Sequence, residues 1–271
     1  MTSPGALLVL ALVAVAMFAP ALAPHSPVMQ RLEAALAPPS RAYLLGGDEF
    51  GRDVLSRLIH GARISLGVAG LAIAISLVAG TAVGLVTGVR RDWLDAALMR
   101  LMDALLTVPS LVLALAVAAA LGPGPGNAAI AIGLVYIPHF ARLVRAQVLS
   151  LAEREFVGAA RALGAGETRI LIRHILPNVL PTVVVLASVN AGFAIMWEAS
   201  LSFLGVGVQP PAPSWGAMLR TGYPYIEHAP WLAIAPGCAI LVAVLGFMVL
   251  GDRLQRLLDP RLARTLSRGV A

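Results

Sequence analysis

Long stretches without a single charged residue restrict the fold of this chain more than any other feature. Residues 1–24, 64–89 and 104–138 contain no Asp, Glu, Lys or Arg. The 271 residues are 59% hydrophobic and 13% charged, with a mean hydropathy of +0.85. So much apolar surface exceeds what one soluble core can bury, and about 20 apolar residues suffice for a helix to cross a bilayer. The chain is therefore predicted to be an all-α integral membrane protein.

Six transmembrane helices are predicted from the uncharged runs. Residues 104–138 are too many for one crossing, and the cluster Gly122-Pro123-Gly124-Pro125-Gly126-Asn127 divides them with a tight turn. The predicted spans cover residues 4–23, 64–89, the two halves of 104–138 with the second continuing toward 149, 179–204 and 231–251. Pro109 and Pro138 are expected to kink the third and fourth spans.

This count divides the chain into four segments. Residues 1–24 form the first transmembrane helix, 25–63 an extracytoplasmic loop with a short amphipathic helix, 64–251 a core of five helices, and 252–271 a cytoplasmic tail. The first segment has an alternative interpretation as a signal peptide, because residues 21–23 resemble a cleavage site. No positive charge precedes its apolar run, and Pro24 would follow the cut, so we expect it to be retained as a helix.

The distribution of arginine predicts the orientation in the membrane. With both termini inside, the inner loops and the tail hold fourteen arginines and the outer loops hold six. Cytoplasmic loops of membrane proteins are enriched in positive charge, so both termini are predicted to be cytoplasmic. The first outer loop, with five arginines, departs from this rule, but it is long and also carries acidic residues.

Several other classes of function have no support in the sequence. The isoelectric point near 10.6 suggests nucleic acid binding, yet the arginines are spread between apolar spans rather than gathered in one module. No metal-site spacing occurs, and Cys238, the only cysteine, is expected to be a packed apolar side chain. The sequence G-x-x-x-x-G-K-[ST] is absent, so no nucleotide site is expected in this chain.

The connector between the fourth and fifth spans, residues 153–177, has the pattern of two short helices. With 3.6 residues per turn, one face of the first helix is apolar and the opposite face holds Arg154 and Arg161. The apolar face consists of Phe156, Ala159, Ala160 and Leu163. Gly164 is expected to end this helix in a left-handed conformation, and a second helix is predicted from about Glu167 to Pro177. Such an amphipathic helix suits either a partner protein or the lipid headgroups.

This connector resembles the coupling loop, or EAA loop, of permease subunits of ATP-binding-cassette (ABC) importers. The pattern is E-A-A, three residues, G, nine residues, I-x-L-P. Ala159, Ala160, Gly164, Leu176 and Pro177 match it, whereas Gly158 stands where Glu is usual and His174 where Ile is usual. The resemblance implies a type I ABC importer permease fold with a cytoplasmic coupling helix. The implied ATPase-coupling residues are Phe156, Gly158, Ala159, Ala160, Arg161, Leu163, Gly164, Leu176 and Pro177.

Two further stretches resemble dipeptide and oligopeptide (DppC/OppC-like) permeases. Residues 46–66 match G-T-D-x-x-G-R-D-V-x-S-R-x-x-x-G-x-R-x-S-L with Gly47 in place of Thr, and residues 197–219 match E-A-x-L-S-F-L-G-x-G-x-Q-P-P-x-P-S-W-G-x-M-L. In the first stretch Asp53 and Arg57 are expected to pair on the short helix before the second span. That stretch either orients the span or contacts the binding protein or substrate. Residues 250–261 resemble the family's tail and are expected to pack on the inner face.

Glu198 is the one acidic residue well inside an apolar stretch, where a charge is costly. It either lines the translocation path or holds the outer end of the bundle by a structural hydrogen bond. Asn190 is a second candidate for the path on the same grounds. Gly80, Gly84 and Gly88 form a small-xxx-small ridge, expected to allow close helix packing.

The resemblance implies a non-catalytic permease subunit of an ATP-driven importer, with di- or oligopeptides as the expected substrate. Relatives that carry nickel, glutathione or oligosaccharides keep those substrates open. The implied partners are a second homologous permease, two ABC ATPase subunits and an extracytoplasmic binding protein. No cofactor or metal is expected here, because the partner subunits bind ATP and magnesium. An ion-driven secondary transporter is the alternative from another class, and an intramembrane enzyme has no supporting motif.

Overall fold

The computed structural model describes residues 4–258, and every regular element in that range is a helix. The α-helices are α1 (Pro4–Met17), α2 (Ala19–Leu22), α3 (Val54–Arg90), α4 (Trp93–Thr107), α5 (Ser110–Leu121), α6 (Pro125–Ala152), α7 (Glu155–Ala162), α8 (Glu167–Ile170), α9 (Leu176–Phe203), α10 (Trp215–Gly222) and α11 (Trp231–Leu258). Short 3₁₀ turns lie at Leu32–Ala34 and Tyr223–Tyr225. Residues 259–261 of the predicted tail motif lie outside the described residues.

Four helices are long and apolar enough to cross a membrane: α3, α6, the continuous stretch Glu167–Phe203, and α11. The pair α4 and α5 forms a fifth candidate span, bent by 99° at the residues between them. The structure therefore confirms an all-helical membrane protein with four to five candidate spans. The first predicted span, residues 4–23, is less regular, because α1 has 14 residues and the helix is interrupted at Phe18. Pro20 lacks the amide proton that would continue the helix there.

The second predicted span begins earlier than expected. Instead of a separate short amphipathic helix followed by a span at residue 64, one helix, α3, runs from Val54. Asp53 caps it, since its carboxylate accepts the backbone amide of Ser56 at 2.9 Å. Gly61 lies inside this helix, and the indole of Trp215 packs directly over it.

Proline has opposite effects in the next two spans. Pro109 separates α4 from α5, with Val108 extended before it, as the steric demand of proline on its predecessor requires. Pro138, by contrast, lies inside α6, which continues past it to Ala152. The predicted turn at residues 122–127 is confirmed: Gly122 and Gly124 have φ of +87° and +146°, and the amide of Asn127 donates to the last carbonyls of α5.

The prediction that the second connector helix ends at Pro177 was wrong. A single π-helical turn at Leu171–Ile175 joins α8 to α9, so the chain is helical from Glu167 to Phe203. The hydrogen bonds of this turn span five residues, and Pro177 follows it in the first turn of α9, where its missing amide proton is tolerated.

The core of the bundle is the contact between α3 and α6, and three glycines make it possible. A Cβ atom added at Gly80 would lie 2.5 Å from Phe140 Cβ, at Gly84 2.6 Å from Val144 Cβ, and at Gly88 2.6 Å from Val148 Cβ. Phe140, Val144 and Val148 are fully buried. The predicted small-residue ridge is therefore confirmed as a packing surface, with α6 seated against the backbone of α3.

Candidate functional site

The connector presents an apolar surface that nothing in residues 4–258 covers. Val157 is fully buried and anchors α7 to the core, and Ile170 in α8 is buried in the same way. On the outward side, 43% of Phe156 and 88% of Leu163 are exposed. Ala159 and Gly158 are also exposed between them, and an added Cβ at Gly158 would meet no atom within 4 Å. We call Phe156, Gly158, Ala159 and Leu163 the connector surface.

Gly164 ends α7 as predicted. Its φ is +80°, and two backbone hydrogen bonds close the helix: Gly164 N donates to Arg161 O at 2.9 Å and Ala165 N to Ala160 O at 3.0 Å. This pair of bonds is the Schellman arrangement, which satisfies the last carbonyls of a helix and requires a left-handed residue. The turn therefore directs the chain from α7 straight into α8.

An ion pair supports this turn from the other side. The guanidinium of Arg161 donates to both carboxylate oxygens of Glu167, at 2.8 and 3.1 Å. These hydrogen bonds raise the pKa of Arg161 above its ordinary value. Both side chains are largely exposed, so the pair contributes little to stability and acts mainly to hold the geometry of the turn.

The predicted coupling residues fall into two groups. Phe156, Gly158, Ala159 and Leu163 form the connector surface, while Ala160 packs partly against the core. The second group, Leu176 and Pro177, belongs to the first turn of α9 and not to α7. Leu176 is half-buried and Pro177 is exposed.

At the other end of the molecule, Glu198 lies in a fully buried polar cluster. The hydroxyl of Ser202 donates to Glu198 Oε1 at 2.7 Å, and Ser202 in turn accepts the backbone amide of Val208 at 3.0 Å. The hydroxyl groups of Ser65 and Ser214 face the same carboxyl group. Ser65 belongs to α3 and Ser214 caps α10, so Glu198 joins three helices and the segment that follows α9. We call these four residues (Glu198, Ser202, Ser65 and Ser214) the Glu198 cluster.

The helix α10 is seated on this cluster by close backbone contact. Trp215 is fully buried; its backbone amide donates to Ser65 Oγ at 3.2 Å and its indole nitrogen to Leu58 O at 3.0 Å. A Cβ atom on Gly216 would lie 2.3 Å from Ala199 O. Ser214 therefore caps α10, Trp215 anchors it to α3, and Gly216 lets its backbone approach α9 closely. The sequence analysis did not predict these three roles. Asn190, the other candidate path residue, is also buried, and its Nδ2 has no partner within residues 4–258.

The predicted pairing of Asp53 with Arg57 was wrong. Asp53 caps α3, and Arg57 instead lies 3.3 Å from Asp48 and donates to Pro27 O at 2.9 Å. Arg52 also pairs with Asp48 and, at 2.8 Å, with Glu49. Local spacing predicted an i,i+4 pair, but the loop folds back and brings the carboxylate of Asp48 to Arg57 first.

The four paired side chains of this loop are almost entirely buried: Asp48, Glu49, Arg52 and Arg57. Burial and the neighbouring Asp48 carboxylate raise the pKa of Glu49 above its ordinary value. Three glycines allow the fold: a Cβ would lie 2.6 Å from Ala37 O at Gly46, 2.0 Å from Ala34 O at Gly47 and 1.7 Å from Arg31 O at Gly51. The first peptide-permease stretch therefore folds as a compact loop that leads into the start of α3.

Comparison with known families decides what this architecture is. Residues 80–264 match the family described as the binding-protein-dependent transport system inner membrane component. The chain belongs to this family. As an ABC importer permease it is a multi-pass inner-membrane protein that acts with an ATPase and a binding protein, and the family is non-catalytic and has no cofactor.

Curated relatives match over almost the whole permease. It is 42% identical to the dipeptide transport system permease protein DppC of Alkalihalophilus pseudofirmus, covering 95% of this chain and 85% of the relative. It is 45% identical to the di/tripeptide transport system permease protein DppC of Pseudomonas aeruginosa, covering 95% and 87%. It is also 42% identical to the glutathione transport system permease protein GsiD of Pectobacterium atrosepticum, covering 94% and 85%.

A solved structure has the same fold. A chain of the methionine ABC transporter MetNI, crystallised in an inward-facing conformation, superposes with a TM-score of 0.63 at 19% identity. The match covers 76% of this permease and 97% of that chain. It supports the predicted likeness to ABC importer permeases at the level of the fold.

Proposed function

We propose that this permease forms half of the translocation path of an ATP-driven importer of di- and oligopeptides. The observation that carries the proposal is the uncovered connector surface, held between two candidate spans on a helix that Gly164 ends. Relatives named as dipeptide permeases, 42–45% identical over 95% of the chain, support peptides as the substrate. The partners proposed are a second homologous permease, two ATPase subunits and an extracytoplasmic binding protein.

In this proposal the connector surface inserts into a groove on one ATPase subunit. ATP and magnesium bind to the ATPase subunits, and their closure draws the two connector helices of the permease pair together. The spans then open outward to receive substrate, and hydrolysis resets them. Leu176 and Pro177 contribute by fixing the direction in which α9 leaves the docked segment.

Copurification and reconstituted uptake test this function together. We expect the ATPase subunits to copurify with this chain, and uptake of a radiolabelled tripeptide into vesicles to require ATP and the binding protein. Uptake by the purified chain alone, driven by an ion gradient, would support a secondary transporter instead. Glutathione is the second candidate substrate because a relative named for it is 42% identical; nickel and oligosaccharides serve as comparison substrates.

We further propose six crossings, with both termini in the cytoplasm. Residues 4–22 span about 28 Å as a helix, close to the thickness of the hydrocarbon core. Gly124 N donates to Gly207 O at 2.9 Å, which supports placing those two turns on one side of the bilayer.

Reporter fusions check this orientation. Fusions after Gly124 and Gln209 are expected to report an extracytoplasmic location, and fusions after Asp95 and Gly166 a cytoplasmic one. An extracytoplasmic signal at Gly166 would contradict ATPase docking at the connector, because no ATPase reaches that side.

For Glu198 we propose the structural of the two predicted functions. Its carboxyl group is 0% exposed and joins α3, α9 and α10, which favours holding the outer end of the bundle over contact with substrate. Glu198→Gln keeps an oxygen that accepts the bond from Ser202, and serine hydroxyls can rotate to accept from the new amide. We therefore expect this variant to retain assembly and near-parental uptake.

Glu198→Leu is the contrasting variant. It leaves the cluster's hydroxyl groups buried without an acceptor, and the free energy of unfolding should fall by about 2–4 kcal/mol. Thermal unfolding of the purified complex and uptake of labelled tripeptide are the two measurements. Normal stability of Glu198→Gln with lost uptake would show instead that the acid serves transport directly.

A further inference from the structure

A large cleft opens between α6, α9 and α11 at the end of the molecule that carries the connector. Its volume is about 810 Å³, within the range of about 300–1,000 Å³ typical of small-molecule sites. Four of its lining residues are polar and none of those described is charged; the remaining lining is apolar. The polar residues are Gln147, Asn178, Thr182 and Gln255.

A second, separate cleft lies on the same side of α9. With 3.6 residues per turn, Thr182 and Val189 in the first cleft align with Ser200 and Phe203 nearer the outer end. Ser200 and Phe203 line the second cleft, of about 390 Å³, between α5, α9, α10 and α11, whose other lining side chains are apolar. Glu198 lies on the opposite face of the same helix. Two clefts therefore lie along one side of α9, an apolar one toward the outer end and one with side-chain amides at the inner end.

We propose that the inner cleft binds the peptide as it leaves the path, with the side-chain amides of Gln147, Asn178 and Gln255 binding its backbone. The inference rests on the proposed function, since it assumes that peptides are what passes. It replaces Asn190 and Glu198, which are buried away from this cleft, as the residues of the path.

The chemistry of the cleft fits a peptide backbone better than any particular side chain. Each side-chain amide offers both a donor and an acceptor, as a peptide group does. Within residues 4–258, the amides of Gln147 and Gln255 have no hydrogen-bond partner, and Asn178 Nδ2 donates to His174 O at 2.7 Å, which leaves its carbonyl oxygen available.

The absence of charge in this lining also matters for passage. A charged residue would hold peptides of one charge tightly and repel those of the other. Neutral amides bind peptides of different sequence with similar, weak affinity. This suits a path that a substrate must leave as easily as it enters. The cleft would therefore recognise what all short peptides share, while the choice among them is made elsewhere.

A photoreactive tripeptide with a benzophenone side chain tests the location in the intact reconstituted complex. During ATP-driven uptake, we expect crosslinks on the cleft-lining residues Asn178, Thr182 and Val185 of α9 and on the end of α11, mapped by mass spectrometry. Val184 is the internal reference, because it is 44% exposed but lies outside the cleft. Crosslinks confined to other faces of the permease, in a complex that transports the probe, would overturn the proposal.

The double variant Gln147→Leu, Gln255→Leu tests the chemistry. Loss of two backbone hydrogen bonds should reduce initial uptake of trialanine at low concentration about tenfold. Gln30→Leu is the matched control, since Gln30 is an exposed glutamine in the predicted first outer loop and does not line the cleft. Thermal unfolding of each complex checks that the substitutions leave the fold intact.

The two proposals fail in different ways. If the unsubstituted complex shows no ATP-dependent tripeptide uptake, the proposed function fails. If that complex transports normally and the double variant transports as well as Gln30→Leu, the amide cleft is not a binding site.

Discussion

Replacing Gly164 with valine is expected to abolish ATP-driven uptake while the protein still inserts in the membrane. Gly164 has φ of +80° and closes α7 through two backbone hydrogen bonds. A β-branched residue there costs about 1–2 kcal/mol of backbone strain. Coupling energies between sites are typically about 1–3 kcal/mol. Because the backbone strain is of similar size, it is enough to uncouple ATP hydrolysis from transport. The measurements are uptake of labelled tripeptide and substrate-stimulated ATPase activity in the reconstituted complex.

Two controls separate backbone strain from added bulk. An added Cβ meets no atom within 4 Å at either Gly164 or Gly166, but Gly166 has ordinary extended angles of −67° and 152°. Gly166→Val is therefore expected to retain most of the activity. Gly164→Asn should lie between the two, since asparagine tolerates left-handed angles better than valine does. Normal uptake by Gly164→Val would mean that this turn does not transmit the ATPase signal.

The second large effect is expected for Gly84→Val. The added side chain would overlap Val144 and the carbonyl oxygen of Ala141, since even a Cβ lies 2.6 Å from each. The helices α3 and α6 would have to separate along the core, at a cost of about 3 kcal/mol or more in the free energy of unfolding. We expect little folded protein to be recovered, and the remainder to unfold at a lower temperature in detergent.

Gly70→Val provides the matched control in the same helix. An added Cβ at Gly70 meets nothing within 4 Å, and valine is at least as favourable as glycine inside a helix. Its unfolding temperature should be close to that of the parent. Equal destabilisation by the two substitutions would contradict the assignment of the Gly80, Gly84 and Gly88 ridge as the main contact between α3 and α6.

Local patterns in the sequence predicted what depends on local physics. Uncharged runs identified the candidate spans, because the bilayer excludes charge along a whole segment. The end of α7 was predicted because a glycine just past the last turn of a helix commonly adopts left-handed angles and ends it. The bend at Pro109 and the turn at Gly122 were also predictable, because proline and glycine act on the backbone conformation at their own positions.

Features that depend on distant contacts were missed. The partners of Glu198 include Ser65, more than a hundred residues earlier, and no spacing rule connects the two. Arg57 pairs with Asp48 rather than Asp53 because the loop folds back before α3 begins. Continuity through Pro177 depends on one π-helical turn, which the presence of a proline could not predict. In each case the outcome depended on contacts or hydrogen bonds that local spacing in the sequence does not determine.

The continuous helix from Glu167 to Phe203 acts as a lever. Its 37 residues extend about 55 Å from the turn at Gly164 to the outer end of the bundle. A tilt of about 5° at the connector would displace the far end by about 5 Å, using the helix length from its rise per residue. No loop interrupts this helix, and the π-helical turn at Leu171–Ile175 is the one place where its hydrogen-bonding pattern changes. Distances between spin labels at residues 169 and 200, measured with and without nucleotide, would stay constant if the arm moves as one rigid body.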